Sequence, residues 1–245
     1  MSRHQDYPNL RLVFGDEWRG LPLLGKQAPF GERYLEINLN VMKHSMERHR
    51  RTFVVLFVLR FPYGYAIPAN GVISRFVRSL KAQVAANLNA RHASSGKRLQ
   101  SAVHCIWARE KNLSDHCHFH VALFLNMDVY NRIGDYSLPV TPESGFSFSP
   151  IRSRAISLHH RLARAWAGAL GLTEEQGVGL VDYPRNAEFH LDGADMDFPF
   201  KFINLFRRLS YMAKTRTKDY GSGADCYGSS RVQGFPGYHP DYVQC

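Results

Sequence analysis

The sequence predicts an α+β domain with a central antiparallel sheet flanked by helices. Three observations carry this expectation. Phe53–Phe61 (FVVLFVLRF) is rich in β-branched and aromatic residues and apolar on both faces, as expected of a strand central in a sheet. Two further strand-like runs, Ala102–Glu110 and His118–Asn126, follow one another across a short polar loop. Between and around them lie segments whose apolar residues recur at helical spacing. At 245 residues the chain suits one domain of generous size, and it contains no internal repeat.

In order along the chain, residues 1–31 are rich in Gly, Pro and Arg without clear periodicity and read as an N-terminal arm. Leu35, Ile37, Leu39, Met42 and Met46 predict a helix over Tyr34–Arg48. After the central strand, Pro62, Gly64 and Pro68 make a loop. Asn70 is a fitting N-cap for a helix to about Asn89, with its stripe at Ile73, Phe76, Val77, Leu80, Val84 and Leu88. Residues 127–148 form a long connection, and Ser149 or Ser153 opens a helix through Leu170, with Gly171 just past its end. Gly177–Tyr183 and Ala187–Leu191 read as short strands, the acidic stretch Asp182–Asp197 as largely a solvated loop, and Phe198–Lys214 as an amphipathic helix. The domain therefore spans 32–218, and 219–245, rich in Gly, Ser, Tyr and Pro, is a tail that packs on it or extends from it.

Composition narrows the function classes. The formal net charge is +10, and residues 41–100 alone hold eleven basic residues against one acid, Glu47. So local an excess, with Arg75, Arg78 and Lys81 off the apolar stripe of their helix, is what a phosphate backbone attracts, although a solubilising face has the same composition. The longest apolar run, Phe53–Leu59, cannot span a bilayer, and the N-terminus has no signal-peptide core. Four cysteines (Cys105, Cys117, Cys226, Cys245) without paired spacing argue against a disulfide framework. A cytoplasmic protein with no membrane partner is expected.

The segment 116–126 (HCHFHVALFLN) carries the chemistry. Strand alternation places Phe119, Val121, Leu123 and Leu125 on one apolar face and His118 and His120 on the other, about 7 Å apart along the strand. Two imidazoles at that spacing reach one metal ion. If Glu110 pairs across from His118, then Ala108 faces His120, Ile106 faces Ala122, and the carboxylate joins the histidine face. One Glu and two His make a mixed O/N site for a divalent ion with open positions, such as Mn²⁺ or Mg²⁺. His116 and His104 are spare ligands. The alternatives are polar histidines on a half-exposed strand, or a structural zinc site from Cys117, His116 and His104, which no CxxC or HxxxH spacing supports.

In the last predicted helix, Phe198, Phe202, Leu205, Leu209 and Met212 form the buried stripe, while Arg207, Tyr211, Lys214 and Lys218 recur on another face. A tyrosine thus sits in a row of cations, where Lys214 can hydrogen-bond a phosphate that Tyr211 attacks, or favour the phenolate. An ordinary helix with a solvated basic side has the same pattern.

Together, HFH at 118–120 and YMAK at 211–214 resemble the HUH endonucleases, named for a His-hydrophobic-His strand and followed here by a Y-x-x-K tyrosine as in rolling-circle replication initiators. Histidines before tyrosine is the order of initiators and single-tyrosine transposases. Glu110 lies upstream of the histidines much as the metal-ligand glutamate of circular-virus replication proteins does. The chain is most similar to the inovirus-type replication proteins of filamentous phages and integrated bacterial elements, through VVLFVLRFP (54–62), IWARE (106–110), HFHVALFLN (118–126), RLARAWAGALGL (161–172), GLVDYP (179–184), YMAK (211–214) and YGSSR (227–231).

The resemblance implies the histidines on a middle strand, with the tyrosine helix beside it. It implies metal-dependent nicking and joining of single-stranded or hairpin origin DNA through a 5′-phosphotyrosine. Glu110, His118 and His120 would hold the metal, Tyr211 would attack and Lys214 would orient. Arg75, Arg78, Lys81, Arg207 and Lys218 are the expected DNA contacts. The sequence departs from initiators at Arg60, where a Thr or an Asp is common, and no G-x-x-x-x-G-K-[ST] motif is present, so unwinding falls to a host helicase. Tyr220 reads as structural. A transposase of the same chemistry and a non-catalytic DNA-binding regulator are the alternatives.

Overall fold

The all-apolar run at Phe53 is the middle of a sheet because neither of its faces can meet water. In the computed structural model, which describes residues 3–5, 7–66, 70–111, 117–134, 156–218, 220 and 225–230, the chain begins with four short strands, β1 (Leu12–Val13), β2 (Glu17–Trp18), β3 (Leu21–Pro22) and β4 (Phe30–Gly31). Helix α1 (Glu32–Arg48), strand β5 (Arg51–Arg60), helix α2 (Val72–Ser95) and the hairpin strands β6 (His104–Lys111) and β7 (Cys117–Asn126) follow. Then come α3 (Leu158–Leu170), β8 (Val181–Asp182), β9 (Glu188–Asp192), α4 (Phe198–Leu209), a 3-10 turn at Ser210–Ala213 and β10 (Tyr227–Ser229). The α+β class with an antiparallel central sheet is as predicted.

The main sheet runs β10-β6-β7-β5, with β8 and β9 both pairing to the free side of β5, and every pairing is antiparallel. Side-chain alternation gives it two apolar faces. Phe53, Val55, Phe57, Leu59, Cys105, Trp107, Phe119, Val121 and Leu123 point into one core, closed by Ile73, Phe76 and Leu80 of α2 and Leu162 and Trp166 of α3. Val54, Leu56, Ile106, Ala108, Ala122 and Phe124 point into the other, closed by Leu35, Val41 and Met42 of α1 and Leu205, Phe206 and Leu209 of α4. Helices thus cover both faces in three layers.

Several boundaries differ from the sequence reading for identifiable reasons. α2 starts after Gly71, which takes the left-handed conformation at φ 86°, rather than after Asn70, and it runs on to Ser95. α3 is capped by Ser157, whose side chain accepts from the His160 amide; Ser149 and Ser153 lie outside the described residues. Gly171 ends it at φ 73°, as its position predicts. Of Gly177–Tyr183 only Val181–Asp182 is strand.

The described parts of both terminal segments pack into the fold. The N-terminal segment places Leu10, Trp18, Leu23 and Phe30 in the second core, and Trp18 stacks on Phe206 with ring centroids 6.0 Å apart. Within the expected C-terminal tail, which could pack on the domain or extend from it, β10 joins the sheet on β6. No helix among the described residues is long and apolar enough to cross a membrane.

Candidate metal and tyrosine site

The β6–β7 ladder has the register read from the sequence: Glu110 opposite His118, Ala108 opposite His120 and Ile106 opposite Ala122. Three side chains that alternate onto one face therefore converge. One ligand atom from each of Glu110, His118 and His120 lies within 4.8 Å of the others. The two Nε2 atoms are 3.2 Å apart, and His120 Nε2 is 3.6 Å from Glu110 Oε2. A carboxylate oxygen and two imidazole nitrogens gathered this closely fit a divalent cation. Glu110 and His118 are buried, and the His120 side chain keeps about a fifth of its surface, 21%, so the group opens to solvent on the His120 side.

The carboxylate is held by partners from one short segment. The chain leaves the 3-10 turn extended, and isolated bridges tie Lys214 to Phe30 and Lys218 to Glu110. Thr215 is fixed by its amide and hydroxyl donating to the Pro29 carbonyl. Lys218 Nζ then reaches Glu110 Oε1 at 2.8 Å, Lys214 Nζ reaches Oε2 at 2.9 Å, and the Thr217 hydroxyl donates to Oε2 at 2.7 Å. This corrects two expectations. The helix does not run through Lys214, and Lys218, expected to contact DNA, is a buried partner of Glu110.

The electrostatics follow from this packing. Burial opposes a charge on Glu110, but Lys218, His120 and Lys214 outweigh it and hold the carboxyl at about 2. Burial pushes His120 down to about 3 against the pull of Glu110, with His118 and the two lysines adding to the depression. His120 is therefore neutral at pH 7, the form that binds a metal.

Tyr211 is the second residue of the 3-10 turn. Its ring meets His120 edge to face, with centroids 5.4 Å apart at 78°, and Lys214 Nζ lies 3.5 Å from its centroid in a cation–π contact. The phenol is half-buried, on the side where His120 opens. Two residues that the sequence reading passed over fix this end of α4. Ser210 Oγ donates to the Arg207 carbonyl at 2.7 Å and accepts from the Leu24 amide at 3.0 Å. Buried Asn38 of α1 donates to the Leu209 carbonyl at 3.1 Å and accepts from the Tyr227 hydroxyl. Neither belongs to a motif; a polar residue on the apolar stripe of α1 was the available signal for Asn38.

The remaining predicted residues are dispersed. Arg207 is exposed one turn before Tyr211. Arg75, Arg78 and Lys81 are exposed on α2, which covers the opposite face of the sheet from the histidines. His104 pairs with Phe124 and Cys117 with Lys111, at opposite ends of the ladder and about 23 Å apart by strand rise, so no zinc site joins them. His104 is likewise too far from Glu110 to serve as its third ligand and instead contacts Ser45 and His44. His116 lies outside the described residues. Tyr220 packs between His4 and Tyr7, with both ring centroids 4.6 Å away. Arg60 is the register partner of His118, and its guanidinium bonds Asp182 at 2.7 Å. The acidic stretch is more than a solvated loop: β9 lies within it, Asp192 pairs with Arg51, and Asp195 and Asp197 pair with Lys201.

Residues 17–230 match the family model of the YagK/YfjJ C-terminal domain. The chain belongs to that family. Among similar YagK/YfjJ proteins are two of Escherichia coli (strain K12). Uncharacterized protein YagK is 30% identical over 163 residues, covering 66% of this chain and 71% of the relative. Uncharacterized protein YfjJ is 29% identical over 167 residues, covering 66% and 72%. No solved structure matches this YagK/YfjJ chain.

Proposed function

We propose that this YagK/YfjJ-family chain is a metal-dependent, single-tyrosine endonuclease and strand transferase that nicks and joins single-stranded or hairpin origin DNA, initiating rolling-circle replication of a phage, plasmid or integrated element. The observation that supports it is the meeting of Tyr211 with the Glu110–His118–His120 group, residues far apart in the chain, at the solvent-open edge of that group. The half-buried phenol at this edge can approach a phosphate that the group faces.

Glu110, His118 and His120 would hold a divalent ion, Mn²⁺ or Mg²⁺, which would supply positive charge against the scissile phosphate. His120, held neutral by burial, would present a ring nitrogen to it beside His118, and Lys218 and Thr217 hold the Glu110 carboxylate in place. Tyr211 attacks in line. Its oxygen bonds to phosphorus as the bond to O3′ breaks, the phenol gives up a proton and the departing 3′ oxygen takes one. The 5′-phosphotyrosine conserves the phosphodiester for rejoining. Lys214, between the phenol ring and Glu110, orients the tyrosine and offers a cation to the phosphate. Unwinding is left to a host helicase.

One observation favours a second reading. Both oxygens of Glu110 already carry ammonium partners, so a DNA-binding protein without metal chemistry is also electrostatically satisfied. Incubation with random single-stranded DNA and Mn²⁺, followed by peptide mass spectrometry, separates the two. A nucleotide adduct on Tyr211, lost in chelator and in Tyr211→Phe, is expected. DNA binding by both proteins with an adduct in neither leaves only the binding reading.

A further inference from the structure

α4 carries an apolar stripe that faces away from the core. Met196, just ahead of the helix, is fully exposed, Phe200 is 69% exposed and Ile203 is 36% exposed. With Arg207 and Tyr211 they fall at i, i+4, i+7, i+11 and i+15, one side of the helix and its 3-10 extension. The buried side is already occupied by Leu205, Phe206 and Leu209. Folding therefore does not account for an exposed phenylalanine in line with the reactive tyrosine.

At the Tyr211 end the stripe meets positive charge. Arg207 and Lys26 border an open cleft of about 680 Å³ with Asp16, Leu23 and Gly25. Arg216, also exposed, is moored beside it through Lys26 O and Gln27 Oε1. At the other end Asp195 and Asp197 share the one Lys201 ammonium at 2.9 and 3.1 Å, which offsets half of their charge beside Met196.

We infer that the outer face of α4 is a track for single-stranded DNA, with unpaired bases resting on Met196, Phe200 and Ile203 and backbone phosphates passing Arg207 on the way to Tyr211. This rests on the nicking reading for the role of Tyr211 but adds a route that the metal group does not define. Phe200 to Tyr211 covers about 16 Å of helix, enough for about five nucleotides at the ~3.4 Å spacing of a stacked strand. A flat aromatic face beside cations is the pairing that grips unpaired bases without reading their sequence. Three side chains on one helix face fall well short of the ~800 Å² per partner of a stable protein interface. A duplex has no free base faces to offer.

The test is binding of fluorescent oligodeoxythymidine to the full chain in chelator, where cleavage is silent. Phe200→Ala weakens binding about tenfold. Phe200→Trp retains affinity, and its emission is quenched as DNA is added. Arg207→Gln weakens binding and flattens its salt dependence. Phe200 is on the surface, so circular dichroism of these variants should match wild type. Wild-type affinity in Phe200→Ala, with Phe200→Trp emission indifferent to DNA, overturns the track. So does a Phe200→Ala protein that changes only its sedimentation, which marks a face for a second protein copy. The adduct assay on Tyr211 is independent: an adduct with Phe200-independent binding sinks the track alone, and Phe200-dependent binding with no adduct sinks the nicking reading alone.

Discussion

Lys218 Nζ lies 2.8 Å from Glu110 Oε1, its side chain wholly enclosed by the protein. A buried pair of this kind does not stabilise a fold merely by existing, because desolvation consumes most of the attraction. Removing one member is another matter. Lys218→Met leaves Glu110 buried with less compensation and should destabilise the protein by about 3 kcal/mol, read by urea denaturation in chelator. Glu110→Gln combined with Lys218→Met should recover a large part of that loss. A double variant no more stable than Lys218→Met would show that the pair is not what the lysine contributes.

Lys214 competes with a metal for the oxygen of Glu110 that faces His120. At an effective dielectric of about 20, a unit charge 4 Å away is worth about 4 kcal/mol to another, which bounds the competition from above. Lys214→Met should bind Mn²⁺ about tenfold more tightly by calorimetry and yet form the Tyr211 adduct more slowly. Tighter metal with unchanged adduct rate would remove Lys214 from the chemistry.

Acid should unfold the protein from a place outside the site. Burial, together with His44, Lys81 and His49, pushes His104 down to about 4. The unfolded chain takes up that proton below about 6.5, while the folded chain resists until about pH 4. The stabilising contribution is thus present above 6.5 and lost as pH falls toward 4, by up to about 3 kcal/mol. His104→Gln should flatten the urea midpoint against pH across that window. His120, held near 3, adds a loss of the same sign in chelator, which survives in His104→Gln.

Asn38 joins three elements through one amide. Asn38→Ala strands the Leu209 carbonyl and the Tyr227 hydroxyl in a dry core and should cost about 2–4 kcal/mol. Asn38→Asp should fare worse than its size suggests, because a carboxylate cannot donate to Leu209. Wild-type thermal stability in Asn38→Ala would refute the bridge.

Gly228 of β10 lies against the indole of Trp107, where an added Cβ would overlap the ring. Gly228→Ala should push the edge strand away at a cost of about 1–3 kcal/mol, visible as faster amide exchange in β10 and β6.

The sequence made part of this structure legible and left the rest to folding. Strand alternation sorted Phe119, Val121 and Leu123 from His118 and His120, because period two fixes faces whatever lies above them. It also made the Glu110–His118 register the pairing that keeps Trp107 and Cys105 in the core. What it did not convey is which sheet face a helix covers. The stripe of α2 was plain, but nothing in it says that Arg75, Arg78 and Lys81 end up across the sheet from the histidines. The Lys214–Lys218 segment misled for a different reason. Its side chains continue the helical spacing, while Ser210 and the bridge to Phe30 end the helix early. The packing of the first 31 residues left no periodicity to read, because each of Leu10, Trp18, Leu23 and Phe30 enters the core singly.

Trp18 against Phe206, and Ser210 bonded at once to Arg207 and Leu24, give the turn that carries Tyr211 a rigid mounting. A protein that severs and reseals a strand must bring a new 3′ end to an anchored 5′ end. If Tyr211 forms the proposed adduct, that exchange belongs to the nucleic acid, because the turn that carries the phenol is held from both sides.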